Sequence, residues 1–148
     1  MPLNVKVNIK ILEDTFARIR PHSTKFASSF YNNLFTDYPQ LQPLFANTPM
    51  EEQHKKLMIA LVLVINNLRN IAYLATLLKD LGERHLRYGI IPEYYSMVGA
   101  ALLKTLESYL GTDWTPEVKQ TWTYGYQAIV NLMLEGKDLE SDIVWVLV

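Results

Sequence analysis

Apolar residues recur along most of this chain at intervals of three and four positions. This interval is the period of a helix with one buried face. The sequence contains no strong hairpin signal and no internal repeat. We therefore predict an all-helical chain. The predicted inner faces are Ile9, Leu12, Phe16 and Ile19; Phe26, Phe30, Tyr31 and Leu34; Gln53, Leu57, Ala60, Leu61, Val64 and Leu68; Leu74, Leu77, Leu78, Leu81 and His85; Tyr95, Val98, Leu102, Leu106 and Tyr109; and Val118, Trp122, Tyr126, Ile129 and Met133.

Capping residues and prolines mark where these helices begin and end. Asn8 is predicted to cap the first helix and Ser23 the second, and Asn47-Thr48-Pro49 is interpreted as a cap followed by a proline in the first turn of the third. In the last helix, residues 115–116 combine a threonine cap with a proline in the first turn. Two prolines within residues 37–45 leave room for at most one short helix there.

Composition narrows the class of protein. The chain has 148 residues, of which 49% are hydrophobic, enough for one domain with a substantial core. Its net charge is -1 and it has no polybasic run, so a nucleic-acid partner is disfavoured. No apolar run is long enough to span a membrane or to serve as a signal peptide.

The absence of certain residues and motifs excludes several chemistries. There is no cysteine, which excludes disulfides, thiolate metal sites and tethering of a cofactor through sulfur. The same absence agrees with a cytoplasmic location. Neither a dinucleotide-binding glycine motif nor a phosphate-binding loop is present. Hydride or nucleotide chemistry would have to come from another protein.

The C-terminal residues differ from the rest of the chain. We divide the sequence into a helical domain, residues 1–136, and a tail, residues 137–148, that ends in an apolar, β-prone stretch. The tail is expected to dock on the domain, to take part in an interaction or to be the remnant of a linker. At the other end, the alternation of Leu3, Val5 and Val7 leaves a pairing strand open as an alternative.

His85 is the most informative candidate for a functional residue. An imidazole on an apolar face needs either a hydrogen-bond partner or a metal to coordinate. A zinc site needs three or four protein ligands, whereas haem iron needs only one, because the porphyrin supplies four nitrogens. Tyr31 and Gln53 also place polar groups on otherwise apolar faces. The residues alone leave both a structural and a metal-binding role open for His85.

Over roughly residues 8–136 the chain resembles the bacterial single-domain globins and the globin domain of flavohaemoglobins. Several stretches match in the same order along the chain. They are Phe30-Tyr31-Asn32-Asn33-Leu34-Phe35, Leu44-Phe45, Gln53 with Leu57, Leu81-Gly82-Glu83-Arg84-His85, Tyr88-Gly89-Ile90, Pro92-Glu93-Tyr94-Tyr95, Val98 to Leu103, and Trp122, Tyr126 and Ile129.

The resemblance implies a globin fold of about six to seven helices, three over three, around non-covalently bound haem b. It implies that His85 is the proximal iron ligand and that Tyr31 and Gln53 donate hydrogen bonds to bound O2. Phe45 would wedge against the porphyrin, and Leu57 would press on the ligand. The remaining haem contacts implied are Phe30, Leu34, Leu61, Leu81, Ile90, Tyr95, Val98, Leu102, Tyr126 and Ile129.

The resemblance also implies the function. We expect reversible binding of O2, NO and CO, in which two distal donors favour retention of O2 over its transport. NO dioxygenation with a separate reductase is the expected reaction. A haem-based sensor of O2, NO or redox state is the alternative, and a globin that has lost haem is a third. We expect a cytoplasmic monomer or homodimer.

Other residues near the expected site have weaker assignments. Flavohaemoglobins carry an acid in the last helix that works with Tyr95 to enrich the proximal imidazole in electrons, but that position falls on Lys137. Glu135 is two residues away and would point elsewhere on a regular helix. His54 is either a sixth iron ligand or an edge residue, and His22 a surface residue. The candidates for contact with haem propionates are Lys55, Arg84, Arg87 and Tyr88.

Overall fold

The computed structural model describes residues 8–87 and 92–134, with the backbone alone for residues 85–87. This part of the chain is helical, as predicted, and contains no strand. Its six α-helices are α1 (Ile9–Ile19), α2 (Ser23–Asp37), α3 (Met50–Asn66), α4 (Ile71–Arg87), α5 (Pro92–Leu110) and α6 (Pro116–Leu134). Tighter 3-10 turns span Arg20–His22, Pro39–Phe45 and Gly111–Asp113. The predicted tail lies outside the described residues.

None of the helices in the described ranges is long and apolar enough to cross a membrane.

Two of the predicted helix caps are confirmed. The Asn8 side-chain oxygen accepts from the Ile11 backbone N–H at 3.2 Å, and the Thr115 hydroxyl accepts from the Val118 N–H at 3.2 Å. Each bond satisfies one of the backbone donors that a helix leaves unpaired in its first turn. Asn70 caps α4 in the same way, through the Tyr73 N–H at 3.2 Å.

The other two predicted caps are wrong. Ser23 donates its backbone N–H to the Arg20 carbonyl, so the chain passes from a 3-10 turn straight into α2 and needs no side-chain cap. At α3, Pro49 itself occupies the cap position, and its carbonyl accepts from the Gln53 N–H at 3.1 Å. Thr48 lies one residue too early, in a turn closed by its own N–H on the Phe45 carbonyl.

The predicted inner face of α3 is only partly correct. The helix packs against α1 and α2, and the side chains it buries are Met58 and Ile65. Gln53, Leu57, Ala60, Leu61 and Val64, predicted to face the core, are half-buried. Because neighbouring helix residues are about 100° apart, the buried side is rotated by about one residue from the predicted one. The half-buried side borders the site described below.

Two glycines allow close helix crossings. A Cβ added at Gly82 on α4 would overlap the backbone of Met133 on α6, lying 2.7 Å from its carbonyl carbon and 2.9 Å from its Cα. A Cβ at Gly99 on α5 would lie 2.5 Å from the Tyr126 ring on α6. At Gly82 a larger residue would push α4 and α6 apart, whereas at Gly99 the Tyr126 ring would have to shift.

Candidate functional site

A hydrogen bond between α2 and α3 forms the centre of the candidate site. The Gln53 side-chain amide, through Nε2, donates to the Tyr31 phenol oxygen at 3.0 Å. Tyr31 is only 5% exposed, and Gln53 is half-buried. Since the amide N–H points at the phenol oxygen, the phenol keeps its own proton to donate elsewhere. A hydroxyl that accepts one hydrogen bond is polarised and becomes a stronger donor for another.

Four rings surround the Tyr31 phenol. Phe30 and Phe45 meet it edge-on, with ring centroids 4.8 Å and 5.7 Å away. Phe35 lies tilted at 5.9 Å, and the His54 imidazole stacks on the phenol at 5.4 Å with 21° between the planes. Edge-on and offset-stacked contacts are the favourable arrangements for aromatic rings, so they hold the phenol in place.

Burial also keeps Tyr31 in its protonated form. It raises the pKa of the phenol above its ordinary value of 10, and the hydrogen bond from Gln53 opposes this rise only in part. Desolvation disfavours the charged phenolate, which is the physical cause. The hydroxyl therefore remains a hydrogen-bond donor throughout the neutral range of pH.

The row of side chains that follows Gln53 along α3 is apolar. Leu57, Leu61 and Val64 succeed it at helical spacing and are half-buried, although they pack against the core cluster. A face that begins with an amide beside Tyr31 and continues with partly exposed aliphatic groups can contact an apolar ligand that carries a polar group.

His85 belongs to α4, three residues after the Gly82 crossing. Its backbone is helical, and its side chain lies outside the described atoms. Leu81, one turn earlier, is partly buried against the core. Close contact between α4 and α6 at Gly82 therefore sets where the helix that carries His85 lies.

A second polar contact joins α5 and α6. The Tyr126 hydroxyl donates to the Tyr95 backbone carbonyl at 2.6 Å. Burial raises the pKa of the Tyr126 phenol, and the neighbouring Tyr95 raises it further. Burial also raises the pKa of Tyr95. Both residues line a groove of about 540 Å³ between the two helices, and Gly99 lines it as well.

The other predicted site residues are distributed over these elements. Phe30, Leu34 and Leu102 are buried, whereas Val98 and Ile129 are partly buried against the core. Among the weaker candidates, Arg84 pairs with Asp80 at 3.1 Å on the surface, and Lys55 is exposed. Three predicted residues lie outside the described atoms, namely the Arg87 side chain, Tyr88 and Ile90. Glu135 and Lys137 lie outside as well.

The family of the chain follows from its sequence. The family model "Globin" matches residues 28–133, well over half of the chain. The chain belongs to the globin family. A bacterial globin from Campylobacter jejuni has the same fold, with a TM-score of 0.74 and 23% sequence identity, and the match covers 88% of this chain and 94% of that one. The predicted globin fold is thus confirmed.

Other relatives of this globin include longer proteins and a chain of similar length. A flavohemoprotein of Xylella fastidiosa is 33% identical over 91% of this chain, and one of Bacillus subtilis is 28% identical over 85%. The chain spans only 34% and 32% of their lengths, about one third. A globin-like protein of Aquifex aeolicus is 27% identical and matches over 85% of this chain and 88% of its own.

Sequence reasoning missed three features of the site. The stacking of His54 on Tyr31 and the inclusion of Phe35 among the surrounding rings depend on how α2 meets α3. The bond from Tyr126 to the Tyr95 carbonyl joins positions 31 residues apart. Helical spacing placed these residues near the site but carried no signal for which of them would touch.

Proposed function

We propose that this globin binds haem b without a covalent link, with His85 as the proximal iron ligand, and that it binds O2, NO and CO reversibly. The chain has no cysteine that could tether a porphyrin through sulfur. The residues that would hold the group are the apolar row on α3, with Leu57 and Leu61, and Phe45 beside it. These aliphatic and aromatic side chains are chemically suited to a porphyrin face.

The arrangement of Tyr31 and Gln53 carries the proposal. The amide donates to the phenol oxygen at 3.0 Å, so the phenol proton is available to a third group. A diatomic ligand that gains negative charge on binding is the acceptor such a donor stabilises. Gln53 keeps a second N–H on the same nitrogen, which makes a second donor available. Bound O2 would therefore dissociate slowly.

The proposed reaction is NO dioxygenation. When bound, haem supplies the ferrous iron at which O2 and NO combine to nitrate while the iron loses one electron. Tyr31 holds a proton at its phenol oxygen and orients the diatomic ligand, and the aliphatic side chain of Leu57 limits the entry of water. A separate reductase must return the electron. The flavohemoproteins of which this chain covers one third motivate this pairing.

Two measurements test this proposal. The purified protein should take up haem with a Soret absorption band that His85→Ala shifts or abolishes. Its oxygenated form, mixed with NO in a stopped-flow instrument, should convert rapidly to the ferric form with one nitrate formed per haem. Lys56→Ala, an exposed change on α3, is the matched control and should react like the wild type. Absence of a fast conversion would rule out NO dioxygenation.

We also propose a cytoplasmic location and a monomeric or homodimeric state. The lack of cysteine supports a location in the reducing cytoplasm. The monomeric or homodimeric state remains a prediction. Size-exclusion chromatography with light scattering would measure it directly.

A further inference from the structure

His54 holds a position that the proposed chemistry does not use. It follows Gln53 on α3, and consecutive helix residues project about 100° apart. The Gln53 amide reaches the oxygen end of the Tyr31 phenol, whereas the His54 ring lies over the face of that phenol at 5.4 Å and 21°. Two adjacent residues of one helix thus contact the same side chain in two different ways.

We propose that His54 is a positioning residue for Tyr31 that sets the direction of the phenol hydroxyl toward a ligand in the site. This inference rests on the proposed function, because the hydroxyl matters only if a ligand accepts its proton. His54 acts through Tyr31 and needs no contact with the ligand itself.

The surrounding rings explain why His54 matters. Phe30 and Phe45 meet the phenol edge-on, at interplanar angles of 79° and 69°, and Phe35 lies tilted at 37°. The His54 ring is the one closest to parallel with the phenol among the ring contacts described. Removing it would take away the stacked ring and let the phenol tilt, while the hydrogen bond from Gln53 would remain.

The half-buried position of His54 gives it a second effect. Tyr31 is 5% exposed, while His54 is half-buried and its ring covers one face of the phenol. Truncation to alanine would admit water, which competes for the phenol proton. A phenylalanine would keep both the stacking and the cover, because neither depends on the imidazole nitrogens.

The test compares His54→Ala and His54→Phe in the wild-type background and in Tyr31→Phe. In the haem-loaded protein, His54→Ala should raise the O2 dissociation rate about 2- to 10-fold, the range expected for loss of one aromatic contact. His54→Phe should remain within about twofold of the wild type. Tyr31→Phe keeps the ring but loses the hydroxyl, so adding His54→Ala to it should change the rate no further.

A spectroscopic readout separates positioning from general destabilisation. The C–O stretching band of the CO-bound ferrous protein reports the field of the distal donor. It should shift or broaden in His54→Ala and stay in place in His54→Phe. Lys56→Ala serves as the control for an exposed change on the same helix. An unchanged band and rate in His54→Ala, or an equal rate change in the Tyr31→Phe background, would overturn the inference.

A measurement without haem distinguishes this inference from the proposed function. In haem-free protein labelled with ¹³C-tyrosine, the resonance that disappears in Tyr31→Phe belongs to Tyr31. Its ring shift should move toward that of a solvent-exposed tyrosine in His54→Ala but not in His54→Phe. Failure to bind haem would end the proposed function, whereas an unmoved Tyr31 resonance in His54→Ala would end the positioning role.

Discussion

Replacing Gly82 by alanine has two opposite effects on the free energy of unfolding. Alanine is the better helix former by about 1 kcal/mol, so local propensity predicts that α4 is stabilised. The structure predicts the opposite, because the new Cβ would lie 2.7 Å and 2.9 Å from backbone carbons of Met133 and would overlap its carbonyl oxygen. Backbone atoms in a helix cannot rotate away as a side chain can.

The magnitude follows from that contact. Ordinary carbon–carbon contacts lie at about 3.5–4.0 Å, so α4 and α6 would have to separate by roughly 1 Å at the crossing. Overpacking of this kind costs about 1–3 kcal/mol, and a clash with fixed backbone belongs at the upper end. After the gain in helix propensity, we expect Gly82→Ala to lower the free energy of unfolding by about 2 kcal/mol. The melting temperature should fall by about 4–8 °C.

Urea denaturation followed by far-ultraviolet circular dichroism measures this change. Lys79→Ala, an exposed substitution on the same helix, should change the free energy of unfolding by less than about 0.5 kcal/mol. Because α4 carries His85, Gly82→Ala should also loosen haem binding if the proposed function is correct. A Gly82→Ala protein more stable than the wild type would show that the crossing does not depend on this glycine.

Three further predictions concern stability. Thr15→Val leaves the buried Trp122 indole N–H without its acceptor at 2.9 Å and should cost about 1–3 kcal/mol in a urea titration. Thr115→Ala removes the cap of α6 and should cost about 1 kcal/mol in the same assay. Burial raises the pKa of Tyr31, Tyr95 and Tyr126, so the unfolded chain loses these protons first as pH rises. The contribution of these tyrosines to the free energy of unfolding should be fully present below about pH 10. Above that pH it should fall by up to about 1.4 kcal/mol per pH unit for each tyrosine.

Each of these three stability predictions has its own control. Adding Trp122→Phe to Thr15→Val removes the unpaired donor and should cost less than the two single changes together; strict additivity would contradict the assigned hydrogen bond. Thr115→Ser keeps the hydroxyl and should match the wild type, so a loss equal to that of Thr115→Ala would argue against capping. For the pH dependence, Tyr126→Phe should flatten the decline, and a stability that is level from pH 8 to 12 would refute the argument.

Local signals predicted most helix positions correctly. The caps at Asn8 and Thr115 were predictable because a capping side chain bonds to a backbone donor three residues away, a contact contained in the local sequence. The caps expected at Ser23 and just before Pro49 were wrong because the preceding 3-10 turns decide where those helices begin. Turn geometry depends on the path between helices, which periodicity does not describe.

The pairing of Tyr31 with Gln53 was predictable, but the details of their contacts were not. Tyr31 and Gln53 were predicted to act together through the resemblance to globins, and the structure brings them within a hydrogen bond. The direction of that bond, from amide to phenol, depends on the side-chain positions across two helices. The stacking of His54 was not predicted, since its helix face was expected to lie at an edge of the site.

By itself, the sequence determined that residues 8–87 and 92–134 are largely helical, which residues can start or stop most helices, and that the chain carries globin motifs in order. These properties depend on spacings of a few residues, over which a helix has only one geometry. The tertiary structure decided what happens where helices meet: the rotation of α3 that buries Met58 and Ile65, the crossing at Gly82, and the positions of Gln53 and His54 around one phenol. The reason is that helix contacts depend on crossing angle and rotation, which are set by the packing of all helices together.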